Sequence, residues 1–308
     1  MPNPKFFILT ATLDRADRLS QAIASVKAQG YPNWELFVLD DGSSDDTPAI
    51  LARESKDERV HGFRFPQSRG VNAARNHLLE KILGRDEAGF LMILDDDDLL
   101  TEEALANFAE EIARRPDARW LVAGCQDQYG RSLTRLADTK PVCYLRDHKF
   151  ANRLKGEMTH AIDLSLIGDT RYTDRFRNSE EWFFFGDLAH RSRITPLDFV
   201  ATTMELLPDG LTRSKPNRGR ALEVYELKFE RWAPILRRRH RAQLLAKIAR
   251  HRLRARDAAG TYRALRSASA EWPLELRIYA VAARLLVAQL KNTFRPMRNV
   301  PAQVRTGR

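Results

Sequence analysis

Residues 6–47 read FFILTATLDRADRLSQAIASVKAQGYPNWELFVLDDGSSDDT, and this stretch decides the fold. Phe6–Thr12 and Trp34–Leu39 are apolar runs of strand length. Between them Leu19, Ile23 and Val26 recur at i, i+4 and i+7, the spacing of one helical face, with Asp17 as the expected N-cap and Gly30 as the stop. Strand, helix and strand in that order predict two parallel strands joined by a crossover helix.

The pattern continues outward. Thr47-Pro48 starts a second helix, Val71–Leu83 forms a third, and Phe90–Leu94 is a further strand. Thr101 is expected to cap a helix with Glu102 and Glu103 in its first turn and Arg114 and Arg115 in its last, matching the helix dipole, before Pro116. Trp120–Gly124 then resumes the sheet. The expected fold class is α/β, an open twisted, mostly parallel sheet with helices on both faces. Residues 127–177 are irregular and polar and carry little pattern. The segment LTRSKPNRG at 211–219 reads as a linker into a tail of three helices, Ala221–Trp232, Leu236–Arg256 and Leu274–Phe294, separated by Pro234, Gly260 and Pro273.

With 308 residues, 43% hydrophobic and 30% charged, the chain can bury a sizeable core and is not disordered as a whole. The formal net charge of +10 conceals a split: residues 216–308 carry 22 Lys/Arg against 6 Asp/Glu, or +16, which leaves −6 on residues 1–215. The expected domains are therefore 1–215, divided into halves at 1–125 and 126–215, and a basic helical region at 216–308. No uncharged apolar run is long enough to span a bilayer, and Met1–Phe6 lacks the features of a signal peptide. Two cysteines, Cys125 and Cys143, are too few for a disulfide framework. A cytoplasmic protein is expected.

Ligands of an open parallel sheet bind beyond the carboxyl ends of its strands, and both acidic clusters lie there. One is Asp40-Asp41-Gly42-Ser43-Ser44-Asp45-Asp46; the other is Asp95-Asp96-Asp97-Asp98, directly after an apolar run. Successive carboxylates raise one another's pKa and cost stability unless a cation is bound, and oxygen ligands favour hard divalent ions. A calcium-loop reading of the first cluster fails, because its sixth position is Asp46 rather than Gly and its twelfth is Ala52 rather than Glu. Neither a dinucleotide fingerprint nor a P-loop is present.

Three segments in order, Ile8–Thr47, SRGVNAARN at Ser68–Asn76 and LDDDD at Leu94–Asp98, resemble the nucleotide-sugar half of family 2 glycosyltransferases with the GT-A fold. The resemblance implies a metal-dependent, inverting transferase that moves a sugar from a nucleotide-diphosphate donor to a saccharide or lipid-linked acceptor, in bacterial envelope polysaccharide or glycolipid synthesis. It implies that Asp41, with Asp40 second, contacts the base, and that Thr12 and Asp14 flank it. Arg75 would reach the diphosphate, Asp95 and Asp96 would face the donor, and Asp97 would hold a divalent cation, Mn or Mg. Where the family has Pro-Thr-Tyr-Asn this chain has Ala11-Thr12-Leu13-Asp14, so the identity of the base stays open.

The segment Phe176–Phe185 resembles the family's acidic pair followed by aromatics, which makes Glu180 or Glu181 the general base for the acceptor hydroxyl. The plain alternative is a pair of helix-start acids worth roughly 0.3–1 kcal/mol. Leu206–Ser214 resembles a loop that often carries a metal-binding His, with Leu207 at that position and Arg213 or Lys215 near enough in sequence to close on the diphosphate.

In the tail, Arg237–Arg241 and the following arginines alternate with Leu236, Leu244, Leu245, Ile248 and Leu253, an amphipathic basic pattern suited to an anionic membrane leaflet or to packing on the domain. Aromatics are sparse there, so no nucleic acid partner is expected. Two other functions compete with sugar transfer. A nucleotidyltransferase would release pyrophosphate instead of a nucleoside diphosphate, and a non-catalytic membrane-surface module on a degenerate transferase fold would turn over no donor.

Overall fold

Strand β1 (Phe6–Thr12) runs parallel to β2 (Trp34–Asp40), in a register that sets Phe6 opposite Trp34 and Thr12 opposite Asp40. Strands β3 (Val60–Arg64) and β4 (Phe90–Ile93) extend the parallel ladder on the outer sides of β2 and β1. Helix α1 (Ala16–Lys27) makes the first crossover, α2 (Thr47–Glu54) the second and α3 (Val71–Leu83) the third. Successive side chains of β1 point to opposite faces: Phe6 and Ile8 join Leu19, Ile23 and Val26 of α1 in one core.

The computed structural model describes residues 3–136, 140–151, 153–176, 181–205 and 220–293. By internal contacts the chain divides into Met1–Ser214 and Lys215–Arg308. In the first unit the remaining elements are β5 (Asp98–Leu100), α4 (Ala104–Arg114), β6 (Trp120–Asp127), β7 (Thr134–Leu136), β8 (Leu154–Gly156), β9 (Met158–Asp163), α5 (Trp182–Leu188) and β10 (Thr195–Met204). The eight-stranded sheet has the order β3-β2-β1-β4-β9-β6-β10-β5, and β7 pairs with β8 in a separate ribbon. Strand β9 is inserted antiparallel between β4 and β6, and β5 runs antiparallel to β10. The sheet is thus mixed and mostly parallel.

Two helix starts differ from expectation. Helix α1 begins at Ala16 with Arg15 as its N-cap, so Asp17 lies in the first turn. Helix α4 begins at Ala104, not just after Thr101. The Thr101 hydroxyl instead donates to the carbonyl of Val200, and its N–H to that of Ala201, because β5 ends there against β10.

The second unit holds four helices among the described residues, not three: α6 (Arg220–Trp232), α7 (Arg238–Arg254), α8 (Ala258–Glu271) and α9 (Leu276–Thr293). Gly260 does not separate helices; it sits in the first turn of α8, where its N–H donates to Asp257 at 2.7 Å. A Cβ there would lie 2.0 Å from the Asp257 carboxylate and 2.3 Å from the Arg252 guanidinium, so glycine is the residue that lets this cap close. Leu245, Ile248, Leu265, Ile278, Val281 and Leu285 with four alanines form the core of this unit. No described helix is long and apolar enough to cross a membrane.

Candidate active site

The ends of β1, β2 and β4 carry the site. At the end of β2, Asp40 is fully buried; its Oδ1 accepts from the Ser43 N–H at 2.7 Å and its Oδ2 faces the Arg64 guanidinium at 3.2 Å. Asp41 accepts three hydrogen bonds from one loop, from the N–H groups of Arg69 and Gly70 and the hydroxyl of Ser68, at 2.7–2.8 Å. It therefore anchors the turn that launches α3. Gly42 makes this docking feasible: its φ is +90°, and a Cβ would lie 2.9 Å from the backbone nitrogen of Ser68.

Asp14 adopts a left-handed φ of 53° after β1, and its Oδ1 accepts from the Ser44 N–H at 2.7 Å. Asp45 Oδ2 accepts from the N–H of Ala16 and its Oδ1 from that of Thr47, so one carboxylate serves the first residues of both α1 and α2. These bonds lock the loops after β1 and β2 together. Thr12 is buried at the end of β1 near the Asp96 carboxyl, and its hydroxyl has no hydrogen-bond partner among the described residues.

Each described acid of the first three positions of the later run meets an arginine. Arg15 Nη1 donates to Asp96 Oδ1 at 2.9 Å and to Asp97 Oδ2 at 2.7 Å. Arg75, only 5% exposed, donates through Nη2 to Asp95 at 2.6 Å and through Nη1 to Glu181 at 3.1 Å. Burial works against the Arg75 charge, but Asp95, Tyr172 and Glu181 outweigh it and raise its pKa, so the guanidinium stays protonated. Burial also lifts Asp96 to about 6 in spite of Thr12 and Arg15. Asp98 is pushed well up by burial and then by Asp95 and Asp97; it begins β5, opposite Met204 of β10.

Glu181 is the N-cap residue of α5, yet its side chain makes no capping bond. Its carboxylate pairs with Arg75 instead, from a position that still faces the start of the helix. Glu180 lies outside the described residues, as do Leu207, Arg213 and Lys215 and the linker they belong to.

A cleft opens beside Glu181, lined by Asp95, Asp98, Lys149, Glu157, His160 and Phe185 among others. Two of these are polar groups that sequence reasoning missed. Desolvation in the cleft and the nearby Glu181 raise Glu157, with Lys149 opposing. Desolvation lowers Lys149, opposed by Glu181 and Glu157. The two cleft histidines are held in the neutral form by burial. Burial drops His160 to about 3, and Trp120 Nε1 donates to its Nδ1 at 2.9 Å; His148 is lowered to about 4 and sits on the Leu154 carbonyl. Arg15 was also missed, although an arginine directly after the strand-end Asp14 was a readable signal. For Glu157 no such signal existed, because it lies in the unpatterned stretch before β9.

Two carboxylate oxygens, from Asp96 and Asp97, converge on the single nitrogen of Arg15, so the loop does bring two acids to one cationic position. No set of three metal-ligating side chains occurs among the described residues. That donor set fits a magnesium-like ion, which takes one or two carboxylates and completes its shell with water and substrate phosphates.

Residues 7–191 match the family model described as glycosyl transferase family 2. TuaG of Bacillus subtilis, a glycosyltransferase assigned to teichuronic acid biosynthesis, is 32% identical over 167 residues, 54% of this chain and 64% of that protein. A GalNAc(5)-diNAcBac-PP-undecaprenol β-1,3-glucosyltransferase of Campylobacter jejuni is 32% identical over 110 residues, 35% of this chain and 34% of that protein. The chain thus spans less than two thirds of the length of either relative. The S. aureus TarS 1–349 structure in complex with UDP-GlcNAc superposes with a TM-score of 0.71 at 17% identity, covering 92% of this chain and 88% of that one. The fold is of the GT-A type.

Proposed function

Because the chain belongs to glycosyl transferase family 2, we propose that it moves a sugar, with inversion, from a nucleotide-diphosphate donor to an acceptor hydroxyl in bacterial cell-surface glycan assembly. The observation that carries this reading is the Arg75 bridge. One buried guanidinium holds Asp95, from the strand-end run, and Glu181, the N-cap residue of α5, so the proposed donor-side acid and the proposed base are tied to the same group at one cleft.

In this reading residues 1–125 bind the donor and residues 126–215 shape the acceptor site. Thr12, Asp14, Asp40 and Asp41 build the nucleotide floor, with Asp41 acting through the loop it anchors. Glu181 accepts the proton of the acceptor hydroxyl as that oxygen attacks the anomeric carbon from the face opposite the leaving group. Arg75 orients Glu181 and Asp95 and does not itself exchange protons. Glu180 is the neighbouring candidate for the same role. Asp97, with Asp96, would hold a Mn or Mg ion, which when bound neutralises the leaving diphosphate as a Lewis acid.

The test is a panel of UDP- and GDP-sugars incubated with the full chain and a divalent cation, with released nucleotide analysed. Nucleoside diphosphate release is expected. Pyrophosphate release would instead identify a nucleotidyltransferase, and no release from any donor would favour the binding-module alternative.

The second unit supports a membrane acceptor. In α9, Ile278, Val281 and Leu285 face the core, while Leu276, Tyr279, Leu286 and Val287 form a second apolar stripe that is exposed. Exposed Arg277 and Arg284 stand beside that stripe, and the region 216–308 carries +16. An apolar stripe with flanking arginines on a basic unit suits an anionic leaflet, at about 1 kcal/mol per well-placed basic residue. The full chain is expected to co-sediment with vesicles containing phosphatidylglycerol and to be released as salt rises, since the screening length falls to about 8 Å at physiological ionic strength. Binding indifferent to lipid charge, or none, would remove the membrane part of the proposal.

A further inference from the structure

The two arginines at the acidic run differ in their freedom to move. Arg75 is sealed in, with its side chain 5% exposed, its guanidinium 5.4 Å from the centre of the Tyr172 ring, and both ends of its fork taken. Arg15 has 30% of its side chain exposed and rests on Asp96 and Asp97 through the single atom Nη1. Its backbone, by contrast, is pinned. Asp14 before it is tied to Ser43 and Ser44, and Ala16 after it donates to Asp45. The side chain can therefore swing from a fixed point at the edge of the nucleotide floor.

A divalent ion and a guanidinium cannot both use the same two oxygens, because like charges about 3 Å apart repel strongly where water is thinned. A cation that takes these two oxygens displaces Arg15, and the displaced guanidinium needs an anion. A diphosphate on the same loop ends is such an anion, and the planar fork of arginine matches phosphate oxygens in pairs. We propose that Arg15 is a donor-binding residue that exchanges Asp96 and Asp97 for the diphosphate, so that cation and nucleotide load together. This rests on the reading of the site as one for a nucleotide-diphosphate donor. Arg15 thus blocks the cation in the absence of nucleotide and assists it in the presence of nucleotide.

The experiment follows Mn²⁺ binding to the full chain by electron paramagnetic resonance, with no sugar present and no turnover. Without nucleotide, Arg15→Gln is expected to bind Mn²⁺ about tenfold more tightly than the wild type, while Arg15→Lys, which keeps the charge, stays with the wild type. With uridine or guanosine diphosphate added, the wild type should gain affinity and Arg15→Gln should gain much less. Equal Mn²⁺ affinity of wild type and Arg15→Gln without nucleotide overturns the proposal. So does an equal gain from the diphosphate, or an Arg15→Lys variant that groups with Arg15→Gln. If no form binds Mn²⁺ with either diphosphate, the metal-dependent donor site itself is wrong and the Arg15 exchange falls with it; a normal wild-type response with an indifferent Arg15→Gln rejects the exchange alone.

Discussion

Replacing Glu181 with Gln is expected to lower kcat by about 10²–10⁴ while leaving donor affinity nearly unchanged. The amide keeps an oxygen at the position that accepts from Arg75 Nη1 at 3.1 Å, so the bridge to Asp95 and the local fold persist. What is lost is the capacity to take a proton from the acceptor hydroxyl, and that capacity matters only in the transition state. In the proposed reading donor affinity belongs to the strand-end loops, and the hydrogen bond of the Glu181 carboxylate goes to Arg75 on α3. Steady-state kinetics with saturating donor and varied acceptor, alongside thermal denaturation, decide the matter. Glu180→Gln is the comparison. A severe loss there with a mild one at Glu181 would move the base by one residue. Mild losses at both would send the search to Glu157, whose raised carboxyl shares the cleft.

Asp97→Asn should reduce turnover at limiting Mn²⁺ by on the order of 10²–10³, the cost usual for removing one group that stabilises developing charge. The fold should survive. Asp97 lies in a run of four acids that repel one another, and its partner Arg15 retains Asp96 at 2.9 Å. Melting temperature is therefore expected to hold or rise while the Mn²⁺ concentration for half-maximal rate climbs. Wild-type turnover by Asp97→Asn at limiting Mn²⁺ would show that the cation is not held there. The same variant separates charge from position: Asn keeps a hydrogen-bond acceptor for Arg15 and loses the negative charge that a divalent ion requires.

Some of this architecture was written in short-range pattern. Phe6–Thr12 and Val71–Leu83 are the observed bounds of β1 and α3, and the spacing of Leu19, Ile23 and Val26 is the buried face of α1. Apolar periodicity reports directly on which face meets a core, and the first crossover needs only its own residues to define it. The acidic runs after β2 and β4 were legible for a similar reason, since strand ends of a parallel sheet bring such loops together whatever lies elsewhere.

Other features needed partners far away in the chain. Thr101 has the composition of a cap, yet its hydroxyl is claimed by Val200, a strand residue 99 positions on. Strand β9 enters the sheet antiparallel because β4 and β6 both offer it an edge, which no local pattern announces. Gly260 looked like a break, and only the contact of Asp257 with Arg252 shows why a helix can start over it. The charges of the site depend most on tertiary structure. From the sequence, Asp97 and Glu181 are carboxylates with implied roles. In the folded chain one of them meets Arg15 from 82 positions earlier and the other meets Arg75 from 106 positions earlier. Periodicity along the chain can say that a side chain is buried or that an acid ends a strand. Which cation faces that acid is set by how distant loops meet, and that is information the tertiary structure alone contains.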